Sequence, residues 1–393
     1  MTSISIANGI ALTPNGLCRR TITVASGTIE SVGEANEGIG APTIDASGLI
    51  VAPGFVDLQI NGGFGLDLLT DPGAMWDLGR RLPEHGVTSF LPTIITSPPE
   101  FTDRALTALT NRPRSYLGAE PIGLHFEGPM INQRRAGAHR PEHIVAPEVE
   151  VVESWSRSGG VVLVTLAPEL DRRGQVIGEL TRRGVTVAAG HTMATVTDAQ
   201  AGVAAGVSMV THLFNAMAPL NHREPNLAGF ALAERSLIAG IIVDGVHVHP
   251  TTVAAAWNAK GPSGIVLVTD AVAAMGCPPG EFQLGGRVII SDGKSVRNRE
   301  GTLAGSVLTL DDAVRNLVEF TGCTAADAMT AASATPADAI GDATRGRLVP
   351  GSIADLVLLD QDLQVQITIC AGKVAYAAAA ARHRIPVGLI EPG

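Results

Sequence analysis

The chain has 393 residues, of which 45% are apolar and 17% are charged, and its formal net charge is −10. This length suits one large domain with a smaller one, and the composition is typical of α/β proteins whose strands are buried on both faces. The negative charge argues against a nucleic-acid partner, because binding to phosphate backbones requires a basic surface.

Residues 1–52 carry the first predicted elements. The segments ISIANGIAL, TITVASGTIESVG and PTIDASG are rich in β-branched residues and separated by turns, which predicts antiparallel strands and hairpins. The segment ADLVLLDQDLQVQITICAGKVAYA near the C-terminus has the same character. Because chain termini often lie close together, we expect residues 1–52 and 346–393 to form one small β-sandwich domain.

Residues 53–345 are expected to form the catalytic domain. Eight apolar runs precede polar residues, and segments with helical spacing, such as RRGQVIGELTRRG, TVTDAQAGVAAG and PEVEVVESWSRSG, lie between them. The runs are VAPGFVDLQI, VTSFLPTII, IGLHFEG, VVLVTLAPE, VTVAAGHT, SMVTHLFNA, LIAGIIVDGVHV and GIVLVTDAV. Alternating strands and helices predict parallel βαβ units, and eight of them predict an α/β fold of the closed (β/α)₈ TIM-barrel type. An open doubly wound sheet is the alternative, but no GxGxxG follows an early strand.

No export or membrane signal is evident. The N-terminal stretch MTSISIANGIALTPNG lacks the basic and apolar segments of a signal peptide, and no run of 18 apolar residues predicts a membrane span. The four cysteines are scattered without CxxC spacing. We therefore expect reduced cysteines, a cytoplasmic location and no membrane partner.

Polar side chains end most of the eight runs. Barrel enzymes hold their active sites where the carboxyl ends of the strands meet, so these side chains are expected at one rim. Each alone would be an ordinary turn or core residue, whereas the whole set predicts a site. The residues, in strand order, are Gln59 and Asn61, Glu127, His191, His212, His247 and Asp270.

A metal site is predicted from three of these residues. Glu127, His191 and His212 supply one carboxylate and two imidazoles, a known ligand set for catalytic zinc that leaves a fourth position for water. Gln59 and Asn61 stand where related barrel hydrolases carry His-x-His; amides bind zinc poorly but can hydrogen-bond the water. We therefore expect one divalent metal per chain, with zinc as the expected ion, and Asp270 as the catalytic acid and base.

These motifs resemble the amidohydrolase superfamily and, within it, the N-acetylglucosamine-6-phosphate deacetylase family. The resemblance runs over nearly the whole chain through APGFVDLQINGGFG, GLHFEGPMIN, GAHRPEHI, AAGHT, THLFNAM, REPNLAG, DGVHV, LVTDA, GTLAGSVLTL and GRLVPGSIADLVLLD. It implies metal-dependent hydrolysis of N-acetylglucosamine 6-phosphate to glucosamine 6-phosphate and acetate, in amino-sugar catabolism and cell-wall recycling. It also implies a homodimer.

The resemblance further assigns substrate contacts. Arg223 is assigned to the phosphate, either within the chain or from the neighbouring subunit, and His247 is the expected active member of its stretch. The full set of implied substrate contacts is Ala138, His139, Asn215, Ala216, Arg223, Asp244, His247, Leu303, Ala304 and Gly305.

Two alternatives stay open. The same chemistry could act on N-acetylgalactosamine 6-phosphate or another N-acyl amino sugar, since inversion at C4 leaves no mark in the sequence. A catalytically inactive amidohydrolase-like scaffold is the second alternative. The joint presence of the three metal residues and Asp270 counts against it.

Overall fold

The first strands of the chain form hairpins, as predicted, in a computed structural model that describes residues 3–34 and 42–389. They are β1 (Ile4–Ala7), β2 (Ile10–Thr13), β3 (Gly16–Arg19), β4 (Thr21–Ala25), β5 (Thr28–Gly33), β6 (Thr43–Asp45) and β7 (Ile50–Pro53). Four of them form a sheet in the order β5-β4-β1-β6. The hairpins are antiparallel as predicted, but β6 pairs with β1 and β7 pairs with β2 in parallel, which the sequence did not predict. Ser26 and Gly27 make the tight turn between β4 and β5 with positive φ angles of 53° and 81°.

The barrel follows directly. Its part of the chain contains β8 (Phe55–Ile60), the short pair β9 (Gly62–Gly63) and β10 (Leu66–Asp67), β11 (Val87–Ile95), β12 (Glu120–Pro121), β13 (Leu124–Glu127), β14 (Val161–Leu166), β15 (Thr186–Ala189), β16 (Val207–Val210), β17 (Ile238–Ile241) and β18 (Ile265–Leu267). β8, β11 and β13 to β18 pair in parallel in that order, with β12 beside β11. A bridge between Ile60 and Ala271 joins the first strand to the last. All eight predicted barrel strands are therefore confirmed.

The helices are α1 (Met75–Arg81), α2 (Pro99–Thr110), α3 (Gln175–Arg182), α4 (Val196–Ala205), α5 (Asn226–Ala233), α6 (Pro250–Lys260), α7 (Leu310–Thr321), α8 (Ala325–Ala332) and α9 (Ala334–Ala339). Short 3₁₀ helices cover Pro72–Ala74, Leu82–His85, Gln133–Arg135, Pro141–His143, Val149–Val152 and Ala379–Arg384. Two of the quoted helical predictions are confirmed by α3 and α4, and α4 begins with a capping box between Thr195 and Asp198.

The helix predicted at PEVEVVESWSRSG is wrong, because the segment contains only the 3₁₀ turn Val149–Val152. The serines that follow favour local hydrogen bonds over a continued helix. Ser156, for example, accepts from Gly159 N through its hydroxyl at 3.1 Å and through its carbonyl at 3.0 Å.

A further antiparallel sheet, which the sequence reasoning missed, separates the last barrel strand from α7. It consists of β19 (Gly280–Leu284), β20 (Arg287–Ser291) and β21 (Val296–Asn298). Arg140 Nη2 donates to Gly285 O at 2.8 Å, and Arg287 Nη1 donates to Ala138 O at 3.4 Å. These bonds fasten the small sheet to the loop that carries Ala138 and His139, at the rim where the active site is predicted.

The C-terminal strands β22 (Leu356–Leu359), β23 (Val365–Cys370) and β24 (Lys373–Ala377) complete the predicted sandwich. They join three N-terminal strands in a second sheet, ordered β24-β23-β22-β7-β2-β3. Isoleucine and leucine side chains from both ends of the chain form a core of their own, including Ile6, Ile22, Ile44, Leu356 and Ile367. The exact domain boundaries, 1–52 with 346–393 and 53–345, stay a prediction. Among the described residues, no helix has the length and apolar content needed to cross a bilayer.

Candidate metal centre and substrate cavity

The polar residues at the strand ends converge on one cavity of about 320 Å³ at the carboxyl end of the barrel. Glu127 is the last residue of β13, and His191, His212 and Asp270 lie just beyond β15, β16 and β18. The last three have positive φ angles of 48°, 28° and 48°. Such backbone conformations cost about 1–3 kcal/mol each in non-glycine residues and are typical of functional sites, where the surrounding fold maintains them.

Three of these side chains meet closely enough to share a metal ion. Glu127 Oε1 lies 3.2 Å from His191 Nε2 and 3.0 Å from His212 Nε2, and the two Nε2 atoms are 3.1 Å apart. Ligands about 2.0 Å from a tetrahedral zinc ion are separated by about 3.3 Å, so the triangle has the size that zinc requires. All three residues are buried. The arrangement can therefore hold a divalent metal in the way the sequence predicts.

Hydrogen bonds orient the two imidazoles for this role. His191 Nδ1 lies 2.8 Å from the carbonyl oxygen of Arg135, which can only accept, so Nδ1 carries the proton and Nε2 presents its lone pair to the centre. His212 Nδ1 is buried without a partner among residues 3–34 and 42–389. The carbonyl oxygen of Arg135 thus selects the His191 tautomer with its proton on Nδ1, which leaves Nε2 free to bind a metal.

His139 is close enough to be a competing ligand. Its ligand atoms, with those of Glu127 and His191, lie within 4.8 Å of one another. However, His139 Nε2 approaches the other oxygen of Glu127, Oε2, at 3.5 Å, and Thr96 donates from its backbone nitrogen to His139 Nδ1 at 3.3 Å. That bond leaves the proton on Nε2, so His139 donates towards Glu127. We therefore favour His212 over His139 as the third ligand, and burial lowers the pKa of His139 to about 4.

Asp270 is held by the two amides of the first strand. Asn61 Nδ2 donates to Asp270 Oδ1 at 2.7 Å, and Gln59 Nε2 lies 3.2 Å from the same oxygen and 3.1 Å from Glu127 Oε1. Gln59 therefore links the predicted ligand to the predicted acid and base. The expected contact of both amides to water stays a prediction, and only Asn61 lines the cavity.

The two carboxyl groups have opposite pKa shifts. Burial and the nearby charge of Glu127 raise the pKa of Asp270 to about 6. Burial acts on Glu127 in the same direction, but hydrogen bonds from His139 and His191 hold its pKa well below the usual range. Glu127 is thus suited to remain an ionised ligand, whereas Asp270 can exchange a proton near neutral pH.

Seven of the ten residues assigned to substrate contact line this cavity, and their contact with a substrate stays a prediction. Asp244 is not in the cavity wall but accepts from His247 Nδ1 at 2.6 Å, which leaves His247 Nε2 for another partner. Ala304 is buried between its neighbours and is not in the wall either. Those in the wall are Ala138, His139, Asn215, Ala216, His247, Leu303 and Gly305.

Arg223 also lies outside the cavity wall. It is exposed in a turn closed by reciprocal backbone bonds between Asn221 and Glu224, both 3.2 Å long, and it is absent from the cavity wall. The chain therefore does not bring Arg223 to its own metal centre. A site formed within one chain, one of the two alternatives for this residue, is not supported.

The sequence analysis did not predict two arginines and one glutamate in this region. Arg134 and Arg135, in the stretch INQRRAG, line the cavity. Glu169, at the end of the fourth run VVLVTLAPE, accepts from Asn132 Nδ2 at 2.8 Å and from Met193 N at 2.7 Å, and it also contacts the Thr192 hydroxyl. The sequence contained a signal for Glu169, because this residue follows a barrel strand just as His191, His212 and Asp270 do.

Comparison with known proteins agrees with this arrangement. The Amidohydrolase family profile matches residues 50–375. The N-acetylglucosamine-6-phosphate deacetylase of Homo sapiens is 40% identical over 354 residues, covering 86% of each chain. That of Bacillus subtilis (strain 168) is 37% identical over 335 residues, covering 83% of this chain and 85% of its own.

Solved structures give the same result. The N-acetylglucosamine-6-phosphate deacetylase of Pasteurella multocida superposes with a TM-score of 0.89 at 29% identity, covering 96% of this chain and 100% of its own. A mutant of the Mycobacterium smegmatis enzyme, in complex with N-acetyl-D-glucosamine-6-phosphate, gives 0.88 at 32% identity with the same coverage. The chain therefore belongs to the amidohydrolase family and, within it, to the N-acetylglucosamine-6-phosphate deacetylases.

Proposed function

We propose that this protein hydrolyses the acetamide bond of N-acetylglucosamine 6-phosphate and releases glucosamine 6-phosphate and acetate. The observation that carries the proposal is the triangle of Glu127, His191 and His212, with edges of 3.0–3.2 Å, in the same cavity as Asp270. The close relatives bear the name of this activity. An inactive scaffold would have no need for three buried ligands arranged at metal-binding distances.

In the proposed mechanism Asp270 moves the proton. A bound zinc ion would polarise the acetyl carbonyl and make water a better nucleophile at neutral pH. Asp270 accepts the proton of the attacking water as the new C–O bond forms. It returns that proton to the amide nitrogen as the C–N bond breaks, so that acetate and the free amine leave. The raised pKa of Asp270, about 6, suits a group that must both accept and donate near neutral pH.

The remaining residues bind and orient. Gln59 and Asn61 hold Asp270 against the metal triangle. Asp244 binds Nδ1 of His247, so we assign Nε2 of His247 to the substrate, either at the carbonyl oxygen or at a sugar hydroxyl. The backbone and side chains of Asn215 and Ala216 and the segment Leu303–Gly305 are assigned to the sugar, as the resemblance implies.

We assign the metal as one zinc ion per chain and the assembly as a homodimer in which Arg223 reaches the phosphate in the neighbouring cavity. The exposure of Arg223 outside its own cavity supports this arrangement. The exposed apolar side chains of Leu220 and Val246 on nearby turns suit a subunit interface.

A charged phosphosugar crosses membranes poorly, which supports a cytoplasmic location.

Mixed dimers test the role of Arg223. An Arg223→Ala chain combined with an Asp270→Asn chain should regain activity on the phosphorylated sugar, because one of the two cavities would have both residues. Each variant alone should be impaired. Lack of recovery in a heterodimer confirmed by mass spectrometry would contradict action between subunits.

The proposed function itself is tested by steady-state acetate release from three sugars. N-acetylglucosamine 6-phosphate should give the highest kcat/KM, above both the unphosphorylated sugar and N-acetylgalactosamine 6-phosphate. A preference for the galacto substrate would support the alternative that differs at C4. No acetate from any of the three, with metal bound, would contradict deacetylation of amino sugars.

A further inference from the structure

Four buried polar side chains inside the barrel have no part in the mechanism above. Thr93 lies on β11, His125 on β13 and Thr165 on β14, and Thr211 directly follows β16. None of the four is more than 5% exposed. Bulky branched apolar side chains normally fill the interior of such a barrel, and polar groups are costly there unless they are hydrogen-bonded. We call these four residues the polar row.

Hydrogen bonds connect the polar row from one end to the other. His125 Nδ1 lies 3.2 Å from Thr93 Oγ1, and His125 Nε2 lies 2.8 Å from Thr165 Oγ1. Thr165 Oγ1 in turn lies 2.6 Å from Thr211 Oγ1. The row therefore runs from β11 to the end of β16 through side chains alone, although β15 lies between β14 and β16 in the sheet.

The hydrogen bonds of the polar row have a definite direction. Both ring nitrogens of His125 face hydroxyl groups, and full burial disfavours a charged ring, so one nitrogen donates and the other accepts. Thr93 Oγ1 donates to Leu91 O at 3.3 Å, which leaves it to accept from His125 Nδ1. Thr211 then donates to Thr165, and Thr165 donates to Nε2, so that each hydrogen has an acceptor within the protein.

Two of the predicted metal ligands are continuous with the polar row. Glu127 follows His125 by two residues on β13, so the two side chains point to the same face of the strand. His212 directly follows Thr211, whose backbone nitrogen donates to Ala189 O at 3.0 Å. A displacement of the row would therefore move two corners of the metal triangle together with their strands.

The third predicted ligand is linked to the polar row by a close contact at a glycine. Gly190, directly before His191, lies against the bonded pair of Thr165 and Thr211. A Cβ atom at Gly190 would lie 2.7 Å from Thr165 Cγ2 and 2.9 Å from Thr211 Cβ, which is closer than side chains pack. The absence of a side chain at Gly190 thus lets the two threonines meet and keeps the backbone before His191 against them.

We propose that the polar row positions the metal ligands and thereby determines the affinity of the site for its metal ion. The inference rests on the metal centre of the proposed function. A triangle with edges of 3.0–3.2 Å must be held to within about 0.5 Å to keep its ligand geometry. Directional hydrogen bonds between strands can maintain such a geometry, whereas apolar side chains of similar volume would fill the space with less definite packing.

The test measures zinc affinity by competition with a chelator in wild type, Thr165→Val and Thr165→Ser. Valine has nearly the shape of threonine but removes both side-chain bonds of Thr165, so zinc affinity should fall by roughly 10- to 100-fold. Serine keeps the hydroxyl and should recover most of that affinity. The visible absorption spectrum of the cobalt-loaded enzyme, which reports ligand geometry, should change in Thr165→Val and return towards that of wild type in Thr165→Ser.

Thr368→Val is the matched control for the loss of a buried hydroxyl. Thr368 lies on β23 of the sandwich, is fully buried, and donates to Pro83 O at 2.7 Å. Its valine variant should lose stability towards urea, as Thr165→Val does, but keep wild-type zinc affinity. If Thr165→Val does not fold, Thr211→Val carries the test, because it breaks only the last link of the row, and its zinc affinity should likewise fall.

Two results would overturn the positioning role. One is wild-type zinc affinity with an unchanged cobalt spectrum in the valine variant of the row. The other is an equal loss of affinity in Thr368→Val, because general destabilisation would then explain both. Neither readout needs substrate, so both decide the role even if wild type releases no acetate, which would refute only the proposed reaction. A wild type that binds no divalent metal would overturn the positioning role and the proposed function together.

Discussion

Asn61 donates a hydrogen bond of 2.7 Å to the carboxylate of Asp270 and thereby joins the first and last strands of the barrel at the active rim. The backbone repeats this link, because Asp270 N donates to Gln59 O at 2.8 Å. The hydrogen bonds that close the barrel between its first and last strands therefore also hold Asp270, the proposed acid and base, in position. Asn61 and Gln59 are both amides, which bind zinc poorly, so we predict that no second metal binds at this position.

Replacement of Asp270 should abolish turnover without removing the metal. Asp270→Asn is expected to lower kcat by roughly a thousand-fold or more, since it removes the only group proposed to accept and return the proton. The amide has nearly the same size, so circular dichroism and elemental analysis should match wild type. Near-normal turnover in metal-replete Asp270→Asn would exclude the assigned proton transfer.

Ligand and supporting residues should differ in metal retention. His212→Ala removes one vertex of the triangle and is expected to lose both metal and activity. Gln59→Ala should keep the metal, because the Gln59 amide donates to the carboxylates of Glu127 and Asp270 and is not one of the predicted ligands. Activity should fall by roughly 10- to 100-fold, as expected for an orienting partner. Elemental analysis and acetate release on both variants make the comparison. Loss of metal from Gln59→Ala would mean that the amide is a ligand.

Much of the barrel and of the metal centre was predictable from sequence because burial on both faces produces apolar runs that end at a common rim. The whole of β11 is buried, for example, and the run VTSFLPTII has no charged residue. The position of Gln59 between Glu127 and Asp270 was not predictable, since it depends on distances between strands far apart in the chain. The exposure of Arg223 likewise follows from a turn conformation that composition does not determine.

The small sheet β19 to β21 and the position of Glu169 could also have been predicted from the sequence. The segment GEFQLGGRVIISDGKSVRN alternates apolar and polar residues around Gly-Gly and Asp-Gly turns, which is the pattern of β19 to β21. The fourth apolar run ends in Glu169, just beyond β14, much as the third run contains Glu127 at the end of β13. Glu169 was not predicted as a site residue because histidines are the more typical metal ligands, whereas its carboxylate supports a loop.

Glu169 should act through the loops that it fastens. Its carboxylate accepts from Asn132 Nδ2 and Met193 N, and Asn132 N in turn donates to the carbonyl oxygen of His191, the predicted metal ligand. Glu169→Gln is therefore expected to weaken metal affinity by roughly 10- to 100-fold, measured by competition with a chelator, with a smaller effect at saturating metal. Glu319→Gln, at an exposed position of α7, is the control. Unchanged metal affinity in Glu169→Gln would contradict this positioning role.

Asp57 should make folding stability depend on pH. It is fully buried below the site, accepts from the Thr269 hydroxyl at 2.6 Å, and burial raises its pKa to about 7. Between the unfolded pKa of about 4 and the folded pKa of about 7, Asp57 is protonated in the folded state and ionised in the unfolded state. Its contribution to the free energy of unfolding therefore decreases as pH rises through that window. The penalty is complete above about pH 7 and absent at low pH.

Asp57→Asn should remove that pH dependence. The unfolding free energy of the variant, relative to wild type, is expected to rise between pH 5 and pH 7 by up to about 1.4 kcal/mol per pH unit, whatever constant offset the amide introduces. Urea unfolding of both proteins at several pH values measures the difference. Parallel curves would mean that Asp57 titrates normally in the folded protein.

The most direct test of the whole account is a zinc titration of chelator-treated enzyme with acetate release from N-acetylglucosamine 6-phosphate as the readout. One ion bound by Glu127, His191 and His212 predicts that activity rises in proportion to added zinc and reaches its plateau at one equivalent per chain. His212→Ala should stay inactive throughout. A plateau at two equivalents, or no acetate at any zinc concentration with the metal shown to be bound, would contradict the single-metal deacetylase.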